Sequence, residues 1–355
     1  MRKIFLTIIF IIILTSCAQK QTQLFIFKRY NPETDNWDYY KTDLYAPSHI
    51  EKINIIPCSD NKNQPIWSPN GKYYGCSNPP VIRDIHNTIT ADLKNYPEWG
   101  IWDWSPESQY VSIINNSSSG YPPFAPYDFS IMKYDGTELI HLNKEPPATI
   151  LYGEWSPDGK FIAHVMYREK EFAYLIIYQS TGKEVARFDL LKLMNTYFED
   201  IKWSPNSKKL AFFTKDNNIT ILDIESGKLT TITADKSVCV INIFDWAPNS
   251  ESILFNGVNN CRESWPMEDA MFRAYSINID GSGLKPLTEK GYRISNDWRP
   301  YYGTTTPSLH WTLDGKSIII DGYEYAGEGI FLMDSDGNNP KRLVDNGYFV
   351  RWIMP

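Results

Sequence analysis

Trp155-Ser156-Pro157-Asp158-Gly159-Lys160, followed by Phe161-Ile162-Ala163-His164-Val165, decides the fold because the chain keeps returning to it. Trp67-Ser68-Pro69-Asn70-Gly71-Lys72 and Trp104-Ser105-Pro106-Glu107-Ser108 come before it. Trp203-Ser204-Pro205-Asn206-Ser207-Lys208, Trp246-Ala247-Pro248-Asn249-Ser250 and Trp311-Thr312-Leu313-Asp314-Gly315-Lys316 come after, and Trp352 stands near the end. Successive tryptophans lie 37, 51, 48, 43, 65 and 41 residues apart. Periods in this range signal a repeat architecture.

Each unit reads as four short strands. The first ends at the Trp, and Ser-Pro-(Asp/Asn)-(Gly/Ser) turns the chain: Pro presets φ, Asp or Asn suits the third position, and Gly or Ser relieves strain at the fourth. An alternating apolar strand follows, such as Leu210-Ala211-Phe212-Phe213. A third strand closes on a second turn, as in Ile131-Met132-Lys133-Tyr134-Asp135-Gly136, and a fourth completes the unit. Four such strands cannot bury both faces of their sheet alone. Neighbours must stack, and radial stacking with a Trp filling each gap gives a propeller. The chain is therefore expected to be an all-β propeller of four-stranded antiparallel blades. Residues 23–56 contain strand-like segments but no motif, whereas Tyr348-Phe349-Val350-Arg351-Trp352 is a first strand with nothing after it. Joined, they make a shared blade that closes the ring and leaves no open edge. Seven blades are expected, or six if the 37-residue unit merges with a neighbour.

The repeat closely resembles that of the TolB-type propellers, whose consensus is Trp-Ser-Pro-Asp-Gly-Lys followed by an apolar strand. The resemblance covers nearly all of residues 23–355. It implies the propeller fold and extracytoplasmic binding or scaffolding, but no single activity, because related propellers serve as binding platforms, lyases and protease gates.

The N-terminus sets the expected address. Met1-Arg2-Lys3 precedes an apolar run from Ile4 to Leu14, too short to span a membrane, and Leu14-Thr15-Ser16-Cys17 resembles a bacterial lipobox. Residues 1–16 are read as a signal peptide, Cys17 as the lipidated residue, 17–22 as anchor and linker, and 23–355 as the propeller. A lipid anchor would hold the domain close to a membrane of the cell envelope. The formal charge is −7 and becomes −9 once Arg2 and Lys3 are removed. An acidic domain with no basic stripe argues against nucleic acid. The four remaining cysteines are an even number in an oxidising location. Cys58 and Cys76 flank Trp67, and Cys239 and Cys261 flank Trp246. In each pair one cysteine is expected before the first strand and the other after the turn. Cys58–Cys76 and Cys239–Cys261 are the natural pairs, with free thiols the alternative.

In such blades the first-to-second and third-to-fourth turns share one face, and the other two connections share the opposite one. The long segments fall on the second face, where function usually sits. Tyr121, Phe124, Arg262, Trp265, Tyr292, Asp297, Trp298, Arg299, Tyr301, Tyr323 and Tyr325 are the candidate ligand-binding residues. Aromatic faces beside Arg and carboxylates suit a glycan or an extended peptide. The expected role is a non-catalytic binding or scaffold module for a protein, peptide or glycan. The alternative is a polysaccharide lyase or glycoside hydrolase using Glu263, Asp269, Asp297, Glu324 and Glu328. A third reading is an envelope-complex partner like TolB. No cofactor is implied beyond a possible calcium loop at Asp334-Ser335-Asp336-Gly337-Asn338-Asn339, which reads better as a hairpin turn. His86, His164 and His310 are too scattered in sequence for metal spacing and would have to converge in space to bind one. A serine peptidase is not expected, since no Gly-x-Ser-x-Gly occurs.

Overall fold

The computed structural model describes residues 22–58, 64–77, 79–95, 99–115, 128–142, 149–168, 172–190, 201–214, 218–232, 238–259, 272–288, 309–321 and 329–354. Among them every regular element is a strand. In chain order these are β1 (Leu24–Asn31), β2 (Asn36–Asp43) and β3 (Ala46–Ile53), then β4 (Ile66–Trp67), β5 (Tyr73–Ser77), β6 (Pro80–Asp84) and β7 (Ile89–Asp92). Next are β8 (Trp99–Trp104), β9 (Tyr110–Asn115), β10 (Asp128–Lys133) and β11 (Ile140–His141), then β12 (Thr149–Trp155), β13 (Phe161–Arg168), β14 (Phe172–Gln179) and β15 (Glu184–Asp189). β16 (Ile201–Trp203), β17 (Lys209–Phe213), β18 (Ile219–Asp223) and β19 (Leu229–Ile232) precede β20 (Val238–Trp246), β21 (Ser252–Asn259), β22 (Phe272–Asn278) and β23 (Lys285–Pro286). β24 (Leu309–Trp311), β25 (Ser317–Asp321), β26 (Gly329–Asp334), β27 (Lys341–Asp345) and β28 (Tyr348–Trp352) end the chain.

They form seven four-stranded antiparallel sheets. Six are consecutive quartets, starting at β4 and forming blades 2 to 7. Blade 1 has the order β28-β1-β2-β3, with Phe25 opposite Trp352 and Lys28 opposite Tyr348. The C-terminal strand closes the ring as the sequence predicts, and the count is seven.

There is no single central core. Among the described residues seven apolar clusters each fill one gap between neighbouring blades; six contain the repeat Trp of the later blade, and Trp352 packs against the seventh. Trp104, for example, packs with Ile82, Ala91 and Leu93 of blade 2. The indole N–H ties blades as well. Trp104, Trp203 and Trp246 donate to the carbonyls of Ile66, Glu154 and Lys202 on the preceding blade, at 2.9, 3.1 and 3.0 Å. Trp352 donates in the same way to Trp311 at 3.0 Å.

The motif's hydroxyl explains why Thr312 substitutes for Ser. Ser68, Ser156, Ser204 and Thr312 are fully buried, and each donates to the Asn or Asp two residues on at 2.7–2.8 Å. Each also accepts the N–H of the residue five on. The fourth turn position departs from expectation. Gly71, Gly159 and Gly315 have φ of 66–69°, but Ser108, Ser207 and Ser250 adopt the same left-handed region at 61, 57 and 63°. Serine therefore accepts strain there rather than relieving it. Its Oγ offsets this by accepting an N–H from the preceding blade's turn: Asn70 to Ser108 at 3.0 Å, Asp158 to Ser207 at 3.1 Å and Asn206 to Ser250 at 3.2 Å.

Cys58 and Cys76 form a disulfide. Cys58 precedes β4 and Cys76 lies in β5, so the bond ties the entry of blade 2 to its second strand. The bridge fits an oxidising, extracytoplasmic location. It spans 18 residues, and replacing both cysteines with serine is expected to lower stability by about 3 kcal/mol. The readout is the midpoint of denaturant unfolding. Cys261 lies outside the described residues. Its expected partner Cys239 sits inside β20 rather than before it, because that first strand runs to nine residues.

Candidate functional site

Short turns occupy one face of the ring. The hairpin at Asp334–Gly337 is typical: the Gly337 N–H donates to the Asp334 carbonyl at 2.8 Å, and the Asp336 carboxylate receives both Asn338 nitrogens. The long connections join the strand ends on the other face. Tyr121 and Phe124 lie between β9 and β10, and Arg262 and Trp265 between β21 and β22. Tyr292, Asp297, Trp298, Arg299 and Tyr301 lie between β23 and β24, and Tyr323 and Tyr325 between β25 and β26. All of them, the carboxylates Glu263, Asp269, Glu324 and Glu328, and Cys17 fall outside the described residues. The described residues add two features to this picture.

The first is an ionic ring in the central channel. Immediately before each repeat Trp stand Ile66, Asp103, Glu154, Lys202, Asp245, His310 and Arg351. Lys202 acts electrostatically on Asp103, Asp245 and His310, and Arg351 acts on Asp103, although these residues belong to five different blades. Only side chains converging on a common axis can interact in this way. The Glu154 carboxylate accepts the backbone N–H of Trp203 at 2.9 Å and lies 3.4 Å from the Lys202 ammonium. Asp245 accepts the N–H of Trp311 at 3.0 Å and lies 3.8 Å from His310 Nδ1. About a third of the Asp245 and His310 side chains is still accessible, 35% and 30%. Water reaches them, but protein surrounds them. Burial accordingly pushes the Asp245 carboxyl up to about 6, against the Trp311 N–H and Lys202. Burial, reinforced by Lys202, lowers His310 to about 4. Asp103 is raised by burial against the pull of Arg351, and Arg351 is lowered by burial against Asp103. Arg351 donates through Nη1 to the Trp67 carbonyl of the next blade, and its Nε is buried without a partner. Beside this ring β8 carries a bulge between Ile101 and Asp103. Ile101 takes the buried place, and the extra residue, Trp102, stays 39% exposed.

The second feature is an aromatic cleft on blade 1. Its 31–36 connection joins the second strand to the third, so the end of β1, the start of β2 and the start of β28 all meet the loop-rich face. Tyr30, Trp37, Asn346 and Tyr348 line an open cavity of about 380 Å³ there. Next to it Lys28, Tyr39, Gln64, Pro65, Phe349 and Val350 line a second one of about 230 Å³ at the boundary with blade 2. Tyr30 and Tyr348 each stand edge-on to Trp37 with ring centroids 5.6 Å away, and the Lys28 Nζ lies 4.5 Å over the indole.

Neither feature was singled out from the sequence, yet both left a signal. The ring is the residue before the Trp, read down the repeats. The cleft contains Trp37, one of five tryptophans (with Trp99, Trp102, Trp265 and Trp298) outside the motif. The histidines do not converge. His86 is in the β6–β7 turn, His164 is buried in blade 4 beside Phe129 and Tyr178, and His310 faces the channel. Among the described residues no group of three His, Cys, Asp or Glu is placed to hold a metal ion.

No family model and no curated protein sequence matches the chain. Among solved structures it is similar to an oligogalacturonate lyase in complex with manganese, at 11% identity and TM-score 0.61, over 87% of this chain and 90% of that one. It is likewise similar to the oligogalacturonate lyase of Vibrio parahaemolyticus, at 9% identity and TM-score 0.60, over 88% and 91%. TolB from Acinetobacter baumannii is also a neighbour, at 11% identity and TM-score 0.47, over 93% and 82%. At these identities the likeness to the two lyases speaks for the propeller fold alone.

Proposed function

We propose that the protein is a non-catalytic binding module, held on a cell-envelope membrane by a lipid on Cys17, that presents its loop-rich face to a protein, peptide or glycan. The supporting observation is the open cleft of Tyr30, Trp37 and Tyr348 on that face. Tyr30 is 50% exposed, and solvent-exposed aromatic clusters on a rigid sheet are characteristic of recognition surfaces. A photocrosslinking side chain at position 30 of the full-length chain in cells should capture a discrete species. The same group at Asp280, in the short β22–β23 turn of the opposite face, should not. Equal capture at both positions, or none at 30, would sink the proposal.

One observation favours a second reading, a carbohydrate-active enzyme. A carboxyl raised to about 6, as at Asp245, suits a general acid. Its bond to the Trp311 N–H gives it a structural task instead. Incubating the chain with acidic and neutral polysaccharides separates the two. Newly released oligosaccharide ends that vanish in Asp245→Asn support the enzyme; their absence leaves the binding module.

A further inference from the structure

We infer that the blade 1 cleft is a sugar subsite that stacks a neutral pyranosyl residue of a glycan against Trp37; this rests on the binding role proposed above. Side chains alternate along strands. Ile26 of β1 and Tyr39 of β2 pack toward blade 2 with Trp67 and Tyr74. Lys28 and Tyr30 therefore point to the same side as Ile26, and Trp37 and Tyr348, opposite Tyr30 and Lys28 in register, do so too. Blade 2 opens with a strand of only two residues, β4. Among the described residues its apolar cover reaches Tyr39 and part of Trp37, and Tyr30, Trp37 and Tyr348 line an open cavity.

The geometry suits a sugar ring. Trp37 meets the two tyrosines at 69° and 84°, so neither tyrosine lies flat on the indole. Lys28 lies over one face of the indole, so the sugar would take the other. The carbon–hydrogen face of a pyranose packs on an aromatic plane, while the Asn346 amide at the cleft suits its hydroxyl groups. A cavity of about 380 Å³ is within the usual range of roughly 300–1,000 Å³ for a small-ligand site.

Charge and backbone pairing choose between classes. Lys28 is engaged with Trp37 and Gln64, Arg29 with the Asp345 carbonyl, and Arg342 with the Asp345 carboxylate. Asp35 accepts the Tyr30 hydroxyl at the rim. The four residues lining the cleft are uncharged and a carboxylate stands at its edge, which favours a neutral sugar over an acidic one. β1 is paired on both sides, by β28 and β2, so a peptide cannot bind here by adding a strand.

The test is an array of neutral oligosaccharides, acidic oligosaccharides and proline-rich peptides, probed with the full-length chain and with Trp37→Ala and Tyr30→Ala. Tyr30 is half exposed, so its loss should leave thermal unfolding unchanged even if Trp37→Ala weakens the fold. Neutral glycans should bind, with affinity reduced at least about tenfold by Trp37→Ala and about threefold or more by Tyr30→Ala. Binding confined to acidic glycans or to peptides, or neutral binding untouched by Tyr30→Ala, overturns the inference. If no glycan binds while position 30 still captures a partner, the sugar subsite falls and the binding role stands. If both fail, both fall.

Discussion

Replacing Trp104 with alanine is expected to destabilise the fold by about 3–5 kcal/mol, whereas the same change at Trp102 is expected to cost under about 1 kcal/mol. The two tryptophans are two residues apart on β8, but they do different work. Trp104 is 2% exposed, packs in the gap between blades 2 and 3, and donates to the Ile66 carbonyl at 2.9 Å. Truncating it leaves a cavity lined by Ile82, Ala91, Leu93 and Val111, residues held by two separate sheets that cannot collapse into it. It also leaves the inter-blade tie at Ile66 unmade. Trp102 is the extra residue of a bulge and 39% exposed. Denaturant unfolding of both variants is the check. Near-equal losses would show that the gap between blades 2 and 3 repacks, or that Trp102 is held by contacts its exposure conceals.

That contrast marks how much the sequence reveals. The repeat Trp and the turn that follows are local chemistry written six times, with a buried hydroxyl after the Trp in five of them. Strand order and ring closure through Tyr348–Trp352 follow from placing them in register, which leaves the blade number at seven or six and makes Cys58–Cys76 the natural pair beside free thiols. Ser108, Ser207 and Ser250 were harder to read. Their left-handed backbone is compensated by an N–H on another blade, and no local pattern shows that partner. The channel ring was hidden for the same reason. Asp103, Glu154, Lys202, Asp245, His310 and Arg351 share a position in the repeat but not a residue type, and only closure of the ring turns six unrelated side chains into one electrostatic unit. Trp37 looks like an ordinary strand residue until it is seen lining the open cleft with Tyr30 and Tyr348.

The ring also bears on the choice between binding and catalysis. Two of its three carboxylates accept backbone N–H groups from the next blade, Glu154 from Trp203 and Asp245 from Trp311. A group holding two blades in register cannot move freely between proton donor and acceptor without loosening them. Tyr30 bonds within its own blade, to Asp35, and its half-exposed ring can meet a ligand at little structural cost. This asymmetry is why the proposed binding surface lies on the rim of blade 1 rather than at the axis.

Acid should weaken the protein through His164, and the effect should disappear in His164→Leu. His164 is fully buried between Phe129 and Tyr178, and neither ring nitrogen has a hydrogen-bond partner. Burial, aided by the nearby Arg187 charge, lowers its pKa from 6.5 to about 3. Between those values the unfolded chain binds a proton at this residue that the folded chain refuses. Its stabilising contribution is therefore complete above about pH 6.5 and is lost as the pH falls toward 3, with a slope approaching about 1.4 kcal/mol per pH unit. His310, lowered to about 4, acts in the same direction, while Asp245, raised to about 6, acts in the opposite one and favours the folded state as pH falls from about 6 to 3.8. Both persist in the variant, so the difference between wild type and His164→Leu isolates residue 164. Leucine also removes two unsatisfied buried nitrogens, and at pH 7.5 the variant should be at least as stable as the wild type. Urea unfolding at pH 7.5, 6, 5 and 4.5 gives the difference directly. It should widen in favour of leucine at each step below pH 6.5. Parallel curves would mean that the folded blade accommodates a charged His164, and that the phenylalanine and tyrosine around it leave room for water to reach the ring.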